Sequence, residues 1–242
     1  MTKQTKCLVQ AGILLVILLV IIFGFDLVEE ALYTRWPNNL GTNALINLPQ
    51  ASLDFVKVAS ISSLLSVLIG VLLGSFCFTE LGQSFRPMID QLSSMTFAVP
   101  SIAVLMIALN IFGFNMWTAV IALVLQGMLP VIISTVSGLD NIEPSLLETA
   151  AGLGMTPLQR LLRIQLPMAL PVILAGFRVC VIMCIGTTTL AYNAGAGGLG
   201  QLIFSGYTSY DMVSVFAGTL PIILMALFSD RMIRYFEYKL SY

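Results

Sequence analysis

The sequence contains no histidine among its 242 residues. Histidine is the usual general base, proton relay and metal ligand near neutral pH, so its absence excludes a Ser–His catalytic dyad and any histidine-based metal site. Charged residues make up only 10% of the chain, whereas soluble domains carry about 25%. No Gly-Lys-Ser or Gly-Lys-Thr occurs, so the chain has no phosphate-binding P-loop. Any ATP chemistry therefore requires another chain.

Cysteine is also scarce, with four residues at Cys7, Cys77, Cys180 and Cys184. All four lie in or beside apolar stretches. Cys180 and Cys184 share one helical face, but without histidine or further cysteine they do not form a metal site. We interpret all four as small packing residues, and we expect no metal on this chain.

Apolar residues dominate what remains, at 58% of the chain. A membrane-spanning helix needs about 20 apolar residues. The sequence predicts an all-α integral membrane protein with about six transmembrane helices. The apolar run after Lys3 and Lys6 is too long for a signal peptide and has no A-x-A site, so it is predicted to be a retained span. The predicted spans are 8–26, 56–79, 90–112, 116–137, 168–190 and 212–230.

The distribution of basic residues predicts the orientation. With the N-terminus inside, eight Lys or Arg residues lie on the cytoplasmic side and only Arg35 and Lys57 outside. This bias places both termini in the cytoplasm. The inside set is Lys3, Lys6, Arg86, Arg160, Arg163, Arg231, Arg234 and Lys239. The hydrophilic segment Asp26 to Asp54 is predicted to be an extramembrane loop, so we divide the chain into residues 1–55, the first span and its loop, and residues 56–242, the transmembrane core.

The run from Glu148 to Pro167 is the longest that a bilayer would not accept, and it lies in a predicted coupling loop at residues 140–167. Two short helices are predicted there. The first opens with Pro144 at its first position and ends at Gly152 and Gly154. The second opens with Thr156, Pro157 and Gln159, a Thr-x-x-Gln capping box. Its apolar residues are predicted to pack against the spans: Leu158, Leu161 and Leu162.

This connection resembles the EAA loop, E-x-A-x-x-x-G-x9-I-x-L-P, of bacterial ABC-importer permeases. Position 149 is Thr where that family usually has Ala. The resemblance implies a type I importer permease with a cytoplasmic coupling helix that seats in a cleft of the ATPase. The matching residues are Glu148, Ala150, Gly154, Ile164, Leu166 and Pro167; Ala151 and Gly152 lie between them.

Within that family, the run from Gly186 to Tyr207 looks like the osmoprotectant branch, which carries glycine betaine, choline and carnitine. Permeases for amino acids such as methionine are similar in the same glycine-rich region. The resemblance implies a bacterial inner-membrane subunit that works with a separate solute-binding protein, a second permease subunit and a cytoplasmic ATPase. That ATPase would hold the ATP and Mg, and we expect no cofactor on this chain and no nucleic-acid partner.

Several polar or small residues interrupt the predicted spans. The second span carries a small residue at every fourth position, Ser62, Ser66, Gly70 and Gly74, which predicts close helix packing. Other polar positions fit either a packing seam or a pathway wall. Arg178 needs a partner, for which Asp90 and Asp230 are candidates. The candidate pathway residues are Gln126, Pro130, Ser134, Arg178 and Thr187.

Two other classes of membrane protein remain to be weighed. A stand-alone channel or secondary transporter would need intramembrane acids or an inverted repeat, and neither is evident. An intramembrane protease would need a histidine-based dyad or an aspartyl pair, and the sequence suggests neither. The solute itself, and whether two identical or two related chains pair, do not follow from the sequence.

Overall fold

The computed structural model describes residues 3–35, 47–79, 82–95 and 99–240. Within these ranges the chain is almost entirely helical. Two short 3-10 turns, Gln83–Phe85 and Thr189–Ala194, and one π-turn, Leu161–Gln165, connect or extend the α-helices. The α-helices are α1 Lys3–Arg35, α2 Leu48–Phe76, α3 Arg86–Met95, α4 Ser101–Phe112, α5 Met116–Asp140, α6 Pro144–Gly152, α7 Pro157–Arg160, α8 Leu166–Thr188, α9 Leu199–Ser209 and α10 Met212–Leu240.

Among the described residues, five helical segments are long and apolar enough to cross a membrane. They correspond to the predicted first, second, fourth, fifth and sixth spans. The prediction of one continuous third span at 90–112 was wrong. Its only apolar helix, α4, has 12 residues and is about 18 Å long, well short of the ~30 Å hydrocarbon core.

Two separate helices, α3 and α4, instead follow α5 in the opposite direction. At one end, Arg86 of α3 forms an ion pair with Asp140, the last residue of α5, and Ile89 packs with Ile132 and Val136. Beyond the interruption, Leu105 of α4 packs in a cluster with residues of the first half of α5. Pro100 begins α4 as its N-cap, because proline disfavours a helical conformation in the residue before it. The described residues of 86–112 therefore pack along α5 as two helices rather than as one continuous span.

The segment 26–54, expected to form a loop, is partly helical. Helix α1 continues to Arg35, and α2 begins at Leu48 with Asn47 as its N-cap. Residues 36–46, including Trp36, lie outside the described residues. The boundary at 55/56 consequently falls inside α2, and the division of the chain there stays a prediction.

Helix α5 lies at the centre of the bundle, between α2 and α8. The small residues of α2 face it as the spacing predicts: a Cβ atom on Gly70 would lie 2.7 Å from Cβ of Val131, and one on Gly74 2.7 Å from Cβ of Thr135. On the other side of α5, a Cβ on Gly138 would lie 3.1 Å from that of Ala169 in α8. We call this α2–α5–α8 contact the seam.

The remaining helices pack outward from the seam. Helix α10 packs on α8, and both α1 and α9 pack on α10. Gln4 Nε2 of α1 donates a hydrogen bond to Tyr238 O of α10 at 3.1 Å, so these helices run antiparallel with both chain ends at the same end of the bundle. That end also carries the α6–α7 hairpin, and we call it the hairpin end.

Candidate functional site

The hairpin of residues 144–160 has the helix starts and ends that the sequence predicts. Helix α6 has Pro144 at its first position. It ends in a left-handed Gly154, φ 79°, where Gly154 N–H donates to Ala151 O and Met155 N–H to Ala150 O. This Schellman pattern favours glycine, which has no Cβ to clash. Thr156 and Gln159 then form the predicted capping box at the start of α7.

The predicted coupling residues fall on two sides of α6. Glu148, Ala151, Gly152 and Gly154 are exposed, and a Cβ on either glycine would meet nothing within 4 Å. Ala150 is instead 3% exposed. The hairpin thus presents a free surface and is held to the bundle from behind. Leu153, which sequence reasoning missed, lies at the tip of this surface with 79% of its area exposed.

The prediction that three leucines pack the hairpin onto the spans was wrong for two of them. Leu161 is buried, at 8% exposed, and packs with Leu139, Ala169 and Ile173. Leu158 and Leu162 are 62% and 55% exposed. Their helical spacing was read correctly, but the π-turn Leu161–Gln165 changes which of them faces the bundle.

The last residues of the motif lie where the hairpin joins α8. Ile164 is half-buried in the π-turn. Leu166 begins α8 and packs against the apolar cluster around Leu161. Pro167 is exposed at the second position of α8. Residues Pro157 to Ala194 form one uninterrupted helical run, so the hairpin is joined to α8 without a flexible linker.

The candidate pathway residues separate into three places. Gln126 and Thr187 are both half-buried and line one small cleft with Ser101 of α4. Ser134 and Pro130 face α8, where the Ser134 side chain and the Pro130 carbonyl occupy the space that a Cβ on Gly176 would need. Gln126 and Thr187 therefore share a surface of the bundle, whereas Pro130 and Ser134 lie in the seam.

Arg178 lies in a cluster of charges that joins α8 to α10. Its Nη1 atom is 3.5 Å from Asp230 Oδ1, and its Nε atom is 3.5 Å from Glu237 Oε2. Asp230 also accepts a hydrogen bond from Arg234 at 3.2 Å. Asp230 is thus confirmed as a partner of Arg178, and Glu237 was missed. The side chain of Asp90 lies outside the described residues.

The glycine-rich segment after α8 leads into a short helix rather than a span. Gly195, Gly197 and Gly198 all have positive φ, and α9 follows. Asp211, fully buried at the start of α10, accepts hydrogen bonds from Val213 N–H at 3.0 Å and from the Ser214 hydroxyl at 2.6 Å. An aspartate before an apolar run is an N-cap signal, and the sequence reading missed it.

Apolar helices long enough to span a membrane, packed around a close seam and joined to an exposed capped hairpin, define an integral membrane protein. The chain belongs to the family of binding-protein-dependent transport system inner membrane components, whose model matches residues 66–242.

Individual relatives agree with this membership. The osmoprotectant import permease protein OsmY of Salmonella typhimurium is 32% identical over 224 residues, covering 91% of this chain and 95% of the relative. The choline transport system permease protein OpuBB of Bacillus subtilis is 32% identical over 188 residues, covering 78% and 86%.

Solved structures agree on the fold. An inward-facing structure of the MetNI methionine ABC transporter matches with TM-score 0.61 and 23% identity, covering 75% of this chain and 92% of that one. A crystal structure of an amino acid ABC transporter with histidines matches with TM-score 0.64 and 18% identity, covering 78% and 92%. At these identities the likeness supports the fold alone.

Proposed function

We propose that this chain is the permease subunit of an ATP-driven importer for quaternary-amine osmoprotectants such as glycine betaine or choline. The observation that carries the proposal is the exposed, rigidly joined hairpin of a binding-protein-dependent permease. The relatives OsmY and OpuBB are named for osmoprotectant import and choline transport. The likeness to methionine and other amino acid transporters is one of fold, which makes an amino acid the second choice.

The hairpin is proposed to be the coupling element that contacts a separate ATPase. Its exposed surface combines one carboxylate, Glu148, two open glycines and the apolar Leu153. Buried Ala150 and Leu161 hold the hairpin against the bundle. Movement of a docked ATPase would thus be passed directly to α8. This is what alternating access by rocking of rigid bodies requires.

The hairpin end is proposed to face the cytoplasm. Gln4 lies beside Tyr238 at that end, and Arg86 lies beside the last residue of α5. These contacts put the basic residues near both chain ends and those of the hairpin on one side of the membrane. The positive-inside bias then makes that side cytoplasmic, which is also where an ATPase would be found.

The translocation path is proposed to run along the surface formed by Ser101, Gln126 and Thr187. Polar side chains that are half-exposed at mid-bundle are costly against lipid, so they favour a water-filled path or a second permease subunit.

We assign Pro130 and Ser134 to helix packing, because they contact α8 at Gly176. Arg178 is assigned to structure, because two carboxylates surround it. High-affinity solute capture is proposed to belong to the separate binding protein.

The decisive experiment compares two exposed glutamates of the same helix. Glu148→Ala removes the carboxylate from the proposed ATPase-facing surface. Glu143→Ala removes the same charge at the N-cap, where that side chain makes no capping hydrogen bond. Alanine is a strong helix former, so Glu148→Ala should keep the helix, and Glu143→Ala should keep it because no capping hydrogen bond is lost. Each is measured for uptake of labelled choline in cells that express the whole transporter, and for co-purification of the ATPase.

We expect Glu148→Ala to lower choline uptake at least tenfold and to weaken co-purification, with membrane levels unchanged. Glu143→Ala should behave as the parent. Equal uptake in both variants would remove the coupling assignment. If the parent takes up labelled methionine but neither labelled choline nor labelled glycine betaine, the solute class is wrong and the transport class stands.

A further inference from the structure

The helix that connects the hairpin to α8 departs from α-helical geometry at one place. Residues Leu161–Gln165 form a π-turn, in which Leu166 N–H donates to Leu161 O, five residues back. Pro167 follows immediately and has no N–H to donate. In an α-helix the Leu162 carbonyl would accept from Leu166 N–H, but that N–H donates to Leu161 O. In a π-helix it would accept from residue 167, which is a proline without an N–H. The Leu162 carbonyl therefore has neither of these helical donors.

The position of Pro167 explains why the turn is wide. In a regular α-helix a proline ring clashes with the carbonyl four residues earlier, which here is that of Arg163. A π-turn inserts one extra residue into a turn of helix. The wider turn lies directly before the proline, where it can move that carbonyl away from the ring. The π-turn and Pro167 are thus parts of one local arrangement.

The burial pattern shows the extra residue independently. The buried face of α8 contains Ala169 and Ile173 and continues through Gly176, Cys180 and Cys184. Extended backwards from Ala169 by the helical spacings of seven and eleven residues, this face would contain Leu162 and Leu158. Leu162 is exposed, and its neighbour Leu161 is buried in its place; Leu158 is exposed as well. The face has shifted by one residue, which corresponds to a rotation of about 100° around the helix axis.

We propose that Pro167 is a positioning residue that selects the π-turn and so sets the rotation of the hairpin relative to α8. With a regular α-helix in this place, Leu162 rather than Leu161 would face the bundle. The surface containing Glu148 and Leu153 would then point in a different direction. The consequence for transport rests on the proposed coupling role, whereas the effect of Pro167 on the rotation does not.

A second change can compensate for the loss of the π-turn and restore the rotation of the hairpin. Deleting one residue from a π-turn turns it into a regular α-helix while both flanking helices keep their relative rotation. Arg163 is the natural residue to delete, because it is exposed and lies within the turn. Pro167→Ala alone should allow the regular helix but misrotate the hairpin. Pro167→Ala combined with deletion of Arg163 should have the regular helix and the original rotation.

In the test, one cysteine is added to the full chain, in place of either Leu161 or Leu162, and the chain is expressed with its ATPase and binding protein. The four native cysteines are buried and provide the labelling background. A hydrophilic maleimide is applied to permeabilised vesicles, and labelling is normalised to the amount of permease in the membrane. Choline uptake is measured on the same variants without the added cysteines.

In the parent, a cysteine at Leu162 should label at least fivefold faster than one at Leu161. Pro167→Ala should reduce or invert this ratio and lower uptake at least tenfold, and the added deletion should restore both. An unchanged labelling ratio in Pro167→Ala would overturn the inference, as would a deletion variant that labels like Pro167→Ala. A changed ratio with full uptake would support the role of Pro167 in rotation and would count against the coupling role of the hairpin.

Discussion

Glycine occurs both in the seam between α2, α5 and α8 and in the α6–α7 hairpin, but in opposite surroundings. A Cβ on Gly70 would lie 2.7 Å from Val131, and one on Gly127 2.6 Å from the Ser66 hydroxyl. A Cβ on Gly152 or Gly154 would meet nothing within 4 Å. The seam uses glycine to bring backbones together, while the hairpin uses it to end a helix and leave a surface open.

This difference follows from the solvent around each region. Between helices in a bilayer, lipid is as apolar as leucine, so association depends on close packing of small residues. The hairpin is polar and exposed, and only a few buried side chains such as Ala150 and Leu161 hold it. Changes in the seam should therefore alter assembly of the bundle. Changes on the hairpin surface should alter contact with a partner.

The largest effect is expected from enlarging a glycine of the seam. Gly176→Leu places a side chain where Ser134 and the Pro130 carbonyl already lie. Overpacking of this kind costs roughly 1–3 kcal/mol or more, so the permease should be depleted from the membrane. The matched control is Gly186→Leu on the same helix, where a Cβ meets nothing within 4 Å. Membrane levels and thermal aggregation midpoints distinguish them, and equal behaviour of the two would contradict the close-packed seam.

A smaller effect is expected at the charge cluster between α8 and α10. Arg178→Ala leaves Asp230 and Glu237 without this partner in side chains that are only 16% and 18% exposed. We expect a loss of about 2 kcal/mol, less than for a fully buried pair. A double-mutant cycle of Arg178→Ala with Glu237→Ala, read by thermal stability in detergent, should give a coupling of about 1 kcal/mol. Additive single effects would show that the Arg178–Glu237 contact carries no energy.

The smallest effect on the whole fold is expected at the capping box of the hairpin. Thr156→Ala removes the hydroxyl that accepts the Gln159 N–H at 3.3 Å, a loss worth about 1 kcal/mol of local helix stability. Faster hydrogen exchange should be confined to residues 144–165, with the melting of the bundle unchanged. Thr149→Ala serves as the control, because its exposed hydroxyl donates only within α6. A lower melting temperature for Thr156→Ala would mean that the hairpin helps to hold the bundle together.

The hairpin was predictable because its signals are local. Proline at the first helical position, a capping box and a glycine at the helix end each act within a few residues, and all three occur as predicted. The small residues of α2 were predictable for a related reason. Their spacing marks one face of a helix whatever that face contacts.

Other features depend on contacts between helices, which no local sequence pattern indicates. Hydropathy predicted a continuous span through Pro100, whereas the structure has two separate helices, α3 before Pro100 and α4 after it. Glu237 lies 59 positions from Arg178 in sequence and meets it only because α8 and α10 pack together. Leu158, Leu161 and Leu162 have equivalent apolar character, so helical spacing alone did not separate the buried one from the exposed ones.

The sequence alone indicates a multi-span membrane protein, the places of five of its apolar spans and the capping of its hairpin. Those properties depend on hydrophobicity and short-range hydrogen bonding, which are encoded over neighbouring residues. Only the tertiary structure shows which of the three hairpin leucines is buried, that Glu237 also meets Arg178 and how the hairpin is rotated on α8, because these contacts join residues that are distant in sequence. A single residue inserted in the π-turn shifts the face by about 100°, and only the packing of Leu161 against α5 and α8 shows where that residue has been placed.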